Sequence, residues 1–159
     1  MTVFSNTDSG QPRSELVLPW TLVITACLLA AVATANKTTL SLVLGGPMLA
    51  AGGLLMLASL AALGDKHTLV TDGPYRWVRH PFYLGLLVML AGAVIATWSL
   101  AGALLFVPAL ILTLARARRE EHTLRLRFGA RYDAYRQRVP FILPIPQLAP
   151  PGSQHDRGG

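Results

Sequence analysis

Charge is scarce in this chain. Only 14% of its 159 residues are Asp, Glu, Lys or Arg, about half the roughly 25% usual in a soluble domain. Three stretches carry none: 21 residues between Glu15 and Lys37, 27 between Lys37 and Asp65, and 36 between Arg79 and Arg116. A helix crossing hydrocarbon needs about 20 apolar residues, so the first two gaps each predict one span. The third is too long for one ordinary span and suits a tight hairpin of two. Cysteine is nearly absent too. Cys27 is the single one, which excludes an internal disulfide and any paired-cysteine zinc pattern, and no metal site is expected. Its Ala and Leu neighbours mark it as a small packing residue.

What charge there is leans one way, with a formal net value of +6. In a soluble domain this would suggest nucleic acid. Here the basic residues flank apolar runs, so no nucleic-acid role is expected and the positive-inside rule applies. With four spans, Arg13, Lys66, Arg76, Arg79 and the arginine-rich C-terminal part fall on one side and Lys37 on the other. That arrangement predicts cytoplasmic termini.

Residues 1–14 read as a flexible polar N-terminus without the pattern of a cleavable signal. The first span is expected over Leu16–Ala35, with Pro19 and Trp20 at an interfacial entry. The second covers Thr39–Leu63. Its Gly45-Gly46-Pro47 and Gly52-Gly53 suit close helix packing, within one chain or between two, so the oligomeric state is open. The run Gly64–Pro81 is polar, aromatic and basic, with a turn at Asp72-Gly73-Pro74. Phe82–Ala115 should form two legs of about 16 residues, each roughly 25 Å long. The reversal is expected near Thr97-Trp98-Ser99, and Pro108 should bend the second leg. Over Arg116–Val139, Leu124, Phe128, Tyr132, Tyr135 and Val139 recur at spacings of four and three. This predicts an amphipathic helical element at the membrane surface, with Gly129 ending one helix and opening the next. Residues 147–159 read as a disordered tail. The fold class is therefore an all-α integral membrane protein with about four transmembrane helices, a helical hairpin and an amphipathic cytoplasmic C-terminal segment.

A hairpin returns the chain to the side it left, so Tyr75–Tyr83 and Glu120–Tyr135 should meet at the cytoplasmic face. They bring Arg, His, Tyr and Glu beside an apolar wall.

Two motifs in these stretches are specific. The seventeen-residue run Leu69-Val70-Thr71-Asp72-Gly73-Pro74-Tyr75-Arg76-Trp77-Val78-Arg79-His80-Pro81-Phe82-Tyr83-Leu84-Gly85 resembles the signature of the isoprenylcysteine carboxyl methyltransferase family. Membrane phospholipid N-methyltransferases share it in looser form. A hydrophobic hairpin later, Glu120-Glu121, Leu124, Phe128-Gly129, Tyr132, Tyr135 and Val139-Pro140 fit the same pattern. The resemblance covers about Lys66–Pro146, roughly half the chain, within a membrane domain expected over 15–146.

The resemblance implies an enzyme that uses S-adenosylmethionine, bound between the loop before the hairpin and the helices after it. Its acceptor would be a lipophilic small molecule or prenylated substrate reached through the bilayer. The backbone of Leu69, Val70 and Thr71 can hold the amino-acid end of the cofactor, and His80 and Tyr83 its adenine or methionine part. Glu120 or Glu121 can accept from the ribose or the ammonium. Tyr75, Pro81 and Gly85 complete the expected cofactor site. A carboxylate acceptor needs no base near neutral pH, only a cation to place it, and Arg79 is the first candidate. An amine acceptor needs a base, Glu121 or His80. The expected catalytic residues are thus Arg79 and Glu121.

Read singly, these residues are blander. Arg76, Trp77 and Arg79 would be headgroup anchors, Tyr132 and Tyr135 packing residues, and Glu120 and Glu121 surface ion-pair partners. His67, His122 and His155 would be solvated. Joint occurrence in the motif is what singles out Arg79, His80, Tyr83 and Glu120. Alternatives in the same fold are a phospholipid, amine or thiol acceptor. More distant ones are an NADPH-dependent membrane reductase and a non-enzymatic scaffold.

Overall fold

A computed structural model describes residues 17–35, 38–63 and 68–143. The N-terminus, Lys37, His67, the tail and His155 lie outside them. The described residues form five α-helices: α1 (Val17–Ala33), α2 (Thr39–Ala62), α3 (Pro81–Thr97), α4 (Leu100–Phe128) and α5 (Ala130–Arg138). A 3-10 turn at Gly73–Arg76 interrupts the loop before α3. The described residues contain no strand.

The helix ends follow local chemistry. Thr38 caps α2: its Oγ1 accepts from the Ser41 amide at 3.1 Å, and Ser41 Oγ accepts from the Thr38 amide at 3.0 Å, a reciprocal capping box. Ser41 also donates to Ala96 O of α3 at 3.1 Å, so the cap doubles as a helix–helix bond. Pro81 opens α3, where its missing N–H costs nothing. The reversal falls at Trp98, which is left-handed with φ 50°. Ser99 then caps α4 by accepting from the Gly102 amide at 2.9 Å and meets Thr34 Oγ1 at 2.6 Å, tying the end of α1 to the turn.

The hairpin is unequal. Its second leg does not stop at Ala115: α4 runs without a break to Phe128. The sequence reading placed a separate surface element from Arg116, because the composition turns from apolar to charged there. Charge does not end a helix. Arg, Glu and Leu are good helix formers, and no Gly or Pro lies between Ala109 and Phe128. The helix ends where Gly129 takes φ 51° and ψ −128° and redirects the chain into α5. Leu124 and Phe128 of α4 do pack with Tyr132, Tyr135 and Val139, in one cluster joined by Leu69. A side chain at Gly129 would meet no neighbour, yet it would be forced into a backbone region that L-residues avoid. Gly129→Ala should therefore lower stability by roughly 1–3 kcal/mol, read as a fall in thermal midpoint in detergent.

α3 is the central helix, buried along most of its length and packed on α1, α2 and α4. Its contact with α2 is a glycine seam. A methyl on Gly52 would lie 2.6 Å from Gly85 O, and one on Gly45 would lie 2.5 Å from Gly92 O. Reciprocally, a methyl on Gly85 would lie 2.7 Å from Gly52 O, and one on Gly92 2.8 Å from Gly45 O. Glycines seven apart on each helix thus bring two backbones together. Gly46 and Gly53 face open space. Cys27 is fully buried between α1 and α4, its thiol 3.4 Å from Gly102 O.

The outer faces are apolar. Leu18, Leu22 and Leu29 of α1, Leu40, Leu44, Leu54 and Leu57 of α2, and Leu104 and Ile111 of α4 are all exposed. So continuous a greasy surface is stable in lipid, not in water. α2 and α4 are long and apolar enough to cross a membrane, while α1 and α3 are apolar helices of 17 residues.

Candidate active site

The site forms where three segments meet at one end of the bundle: the loop 68–80, the start of α3, and the charged end of α4 with α5. Two long-range bonds bring them together. Tyr135 donates its hydroxyl to Tyr75 O at 2.6 Å, and the Arg79 amide donates to Pro140 O at 2.9 Å.

Between these segments lies a cavity of about 620 Å³, within the usual range for a cofactor-sized pocket. Leu60, Leu63, Leu69, Val70, Phe82, Leu124 and Phe128 make its apolar wall. Its polar groups are Tyr75, Arg79, His80, Tyr83, Glu120, Arg127, Tyr132 and Tyr135, with Thr68 at the edge.

Two adjacent carboxylates of α4, Glu120 and Glu121, serve two clusters. Glu121 lies behind the cavity wall. Its Oε1 forms an ion pair with Arg79 Nη1, accepts from the Tyr132 hydroxyl at 3.2 Å, and lies 3.5 Å from His80 Nε2. Arg79 and His80 are both buried. Among the described residues, Arg79 Nε has no hydrogen-bond partner, an expensive condition for a buried donor unless a ligand completes it. Phe141 covers the cluster from the other side, its ring 5.0 Å from that of His80 and 5.5 Å from the Arg79 guanidinium carbon.

Glu120 belongs to the second cluster. Tyr83 donates to Glu120 Oε2 at 2.9 Å and accepts from Arg116 Nε at 3.2 Å. The Arg116 guanidinium stacks over the Trp20 indole at 4.6 Å. Trp20 in turn donates from Nε1 to Thr113 Oγ1 at 3.1 Å.

Burial and neighbouring charges set the protonation states at this end, six residues past the last apolar turn of α4. Burial pushes the Glu121 carboxyl up, but the His80 imidazole, the Arg79 guanidinium and the Tyr132 hydroxyl outweigh it and hold it below its ordinary value of 4.5. Burial, with the Glu120 charge, pushes Tyr75 up to about 12. Burial and the Glu121 charge do the same to Tyr132, also to about 12. Both phenols are therefore neutral donors at physiological pH.

Of the residues expected from sequence, Leu69, Val70, Tyr75, Arg79, His80, Tyr83 and Glu120 share one cavity wall. The other four stand apart. Thr71 is half-buried beside it, Pro81 is fully buried at the start of α3, and Gly85 lies against Gly52 in the glycine seam. Glu121 supports Arg79 and His80 from behind. The sequence reading missed Arg116 and Trp20 and gave Tyr132 and Tyr135 packing roles only. Arg116 had a signal, since it precedes Glu120 by one helical turn and shares its face. Trp20 had none, being 93 residues from Thr113.

The stretch that builds this site is also the stretch that matches known proteins. Residues 38–126 match the isoprenylcysteine carboxyl methyltransferase family. The chain belongs to that family. Among curated relatives, the chain is 37% identical over 82 residues to protein-S-isoprenylcysteine O-methyltransferase B of Arabidopsis thaliana, covering 51% of this chain and 42% of that protein. It is 38% identical over 82 residues to protein-S-isoprenylcysteine O-methyltransferase of Schizosaccharomyces pombe, covering 50% and 34%. The Homo sapiens protein of that name is 36% identical over 82 residues, covering 51% and 29%. The aligned region is thus less than half the length of each of these relatives. No solved structure matches the chain. The family match contains the loop, α3 and both carboxylates, but not α1, Tyr132 or Tyr135. Membership together with the lipid-compatible surface makes this a membrane protein.

Proposed function

We propose that the protein is a membrane methyltransferase that uses S-adenosylmethionine to methylate the carboxylate of a prenylcysteine-like acceptor. One observation carries the reading: a single cavity, at the end of apolar helices, is bordered by a buried arginine with an unused donor, by a buried histidine and by a carboxylate with an unused oxygen. The relatives named above, all isoprenylcysteine O-methyltransferases, support the choice of acceptor.

The residues suit the cofactor. The apolar wall offers a dry surface to adenine. Glu120 Oε1, with no protein hydrogen bond among the described residues, can accept from ribose hydroxyls or an ammonium. The neutral Tyr75 hydroxyl can donate to a carboxylate or ring nitrogen, and the His80 ring borders the same cavity. The backbone of Leu69, Val70 and Thr71 lies beside them for the amino-acid end. Pro81 sets the start of α3, and Gly85 lets α3 approach α2, which holds this wall in place. When bound, S-adenosylmethionine supplies a methyl group activated by its sulfonium.

The protein's own part is positioning. An acceptor carboxylate is already ionised at neutral pH, so no residue has to take a proton from it. Arg79, whose Nε is unused, can hold that carboxylate in line with the methyl group. Glu121 fixes the guanidinium from behind and balances its charge, and Tyr132 fixes Glu121. Phe82, Leu124 and Phe128 exclude water, which strengthens these contacts and leaves the nucleophile poorly solvated.

A second cavity of about 650 Å³ gives the lipid part a path. Leu84, Leu87, Val88 and Ala91 of α3 and Leu110 and Leu114 of α4 line it, and it ends at Arg118 and Phe141. Phe141 is the same ring that covers Arg79 and His80. A prenyl chain lying in this groove from the bilayer side would bring its carboxylate to the Phe141 edge.

The same reading makes all four long helices membrane crossings, with the site, α5 and both termini on the cytoplasmic side. Exposed Trp77 and Trp98 flank the two ends of α3, as interfacial anchors do. The methyltransferase unit then covers 15–146, with the cofactor part within 66–146.

Calorimetry on protein in detergent or lipid nanodiscs tests the class. Saturable binding of S-adenosylmethionine is expected, and none of NADPH. The reverse result would replace the reading with a reductase, and binding of neither by folded protein would leave a scaffold.

A further inference from the structure

The contacts around Tyr83 reach beyond the family match, into α1. We infer that Arg116, seated on Trp20, is a positioning residue that fixes the Glu120 carboxylate in the cofactor cavity through Tyr83. This inference rests on the methyltransferase reading and adds a part of the site to it.

Glu120 stands at an exposed position of α4. Its one protein hydrogen bond among the described residues is from Tyr83. A glutamate on an exposed helix face has free rotamers, and that single bond must choose the one that faces the cavity. A phenol has one proton to give, and it can give it in more than one direction. Arg116 settles the direction. Its Nε donates to the Tyr83 oxygen, which places a positive group on one side of that oxygen and leaves the proton to point at Glu120 on the other.

Arg116 is itself held in place. Its guanidinium lies on the Trp20 indole, where cation and π-face attract, and a planar group stacks better there than an ammonium would. Trp20 cannot turn freely either. Its N–H is bonded to Thr113, which is fully buried, and its ring stands nearly perpendicular to that of Tyr83 with centroids 6.3 Å apart. The result is a chain from Trp20 of α1, anchored by Thr113, through Arg116 and Tyr83 to Glu120 at the cavity. Each link crosses between α1, α3 and α4, so the chain exists only when the three helices are docked.

The test is a binding cycle read by calorimetry with S-adenosylmethionine on solubilised protein. Arg116→Met should raise Kd about tenfold, the size expected for losing one charge-assisted hydrogen bond. Trp20→Leu should reproduce much of that rise, and Arg116→Lys should stay closer to Arg116→Met than to wild type. In the Tyr83→Phe background the relay is already broken, so Arg116→Met should change Kd less than about twofold. In turnover the loss should appear in the cofactor KM with kcat nearly retained. A structural role for Arg116 would lower thermal stability and leave Kd unchanged in folded protein, and that result, or full additivity with Tyr83→Phe, would overturn the inference alone. Absence of binding by the wild-type protein would instead overturn the methyltransferase reading on which it rests.

Discussion

Glu121→Ala is expected to lower methyl transfer about a hundredfold or more and to cost about 3 kcal/mol of stability. Both effects come from one oxygen. Glu121 Oε1 meets Arg79, lies near His80 and accepts from Tyr132. Removing it leaves a buried guanidinium with no counter-charge, which is far more costly than losing a surface pair. It also frees the group proposed to hold the acceptor carboxylate, and a displacement of about 1 Å at a reacting centre is worth roughly a hundredfold in rate. Glu121→Gln separates the two. The amide oxygen can still accept from Tyr132 and from the Arg79 guanidinium and keeps the shape, so Glu121→Gln should lose less stability than Glu121→Ala while the charge balance of Arg79 is still lost. A variant that is stable and fully active would sink the assignment of Glu121.

The same carboxylate has a pH signature. Its folded value lies below the ordinary 4.5, so the folded state binds its proton less well than the unfolded one. The stability it contributes is complete above about pH 5 and is lost as pH falls through the folded value. Unfolding in detergent followed between pH 7 and pH 3 should show this loss in the wild type. Glu121→Gln should show a shallower acid slope, because position 121 no longer titrates.

Substituting the glycine seam should be the most damaging change away from the site. Gly52→Ala or Gly45→Ala places a methyl into the backbone of α3, and a backbone cannot step aside as a flexible side chain can. Overpacking of this kind costs about 1–3 kcal/mol, and the backbone contact favours the upper end. The matched controls are one residue away. Gly46 and Gly53 face open space, so alanine there removes only the helix penalty of glycine and should stabilise by about 0.5–1 kcal/mol. Thermal midpoints of the four single variants decide the matter. Equal effects across the pairs would mean that α2 and α3 do not meet along this seam. Because Gly85 sits at the base of α3 just past Tyr83, Gly52→Ala should also weaken cofactor binding, whereas Gly53→Ala should not.

Much of this was legible without coordinates. The uncharged gaps gave the apolar helices nearly to the residue: the first was expected over Leu16–Ala35 and is Val17–Ala33, and the second over Thr39–Leu63 and is Thr39–Ala62. The turn at Thr97-Trp98-Ser99 and the break at Gly129 were also readable, since each is a local conflict between a helix and its neighbours in sequence. Periodicity grouped Leu124, Phe128, Tyr132, Tyr135 and Val139, and the motif pointed to Arg79, His80, Tyr83 and Glu120 as one set. These features are written in composition, spacing and motif, quantities that a chain carries before it folds.

Other features depended on three dimensions. The continuity of α4 past Arg116 was hidden because polarity marks the edge of a membrane, not the end of a helix. The division of labour between adjacent glutamates was hidden as well. Successive residues on a helix point about 100° apart, and only the docking of the loop and α5 decides that Glu121 turns toward Arg79 while Glu120 turns toward Tyr83. Which glycines of α2 are packed and which are open follows from the approach of α3, although all four look alike in sequence. Trp20 enters the site only because α1 lies against α4, a contact between residues 93 apart. The sequence by itself determined the helices, their apolar character and the residues proposed for the site. The tertiary structure decided which of those residues face one another, because hydrogen bonds and ion pairs act over about 3 Å and such proximity is set by packing.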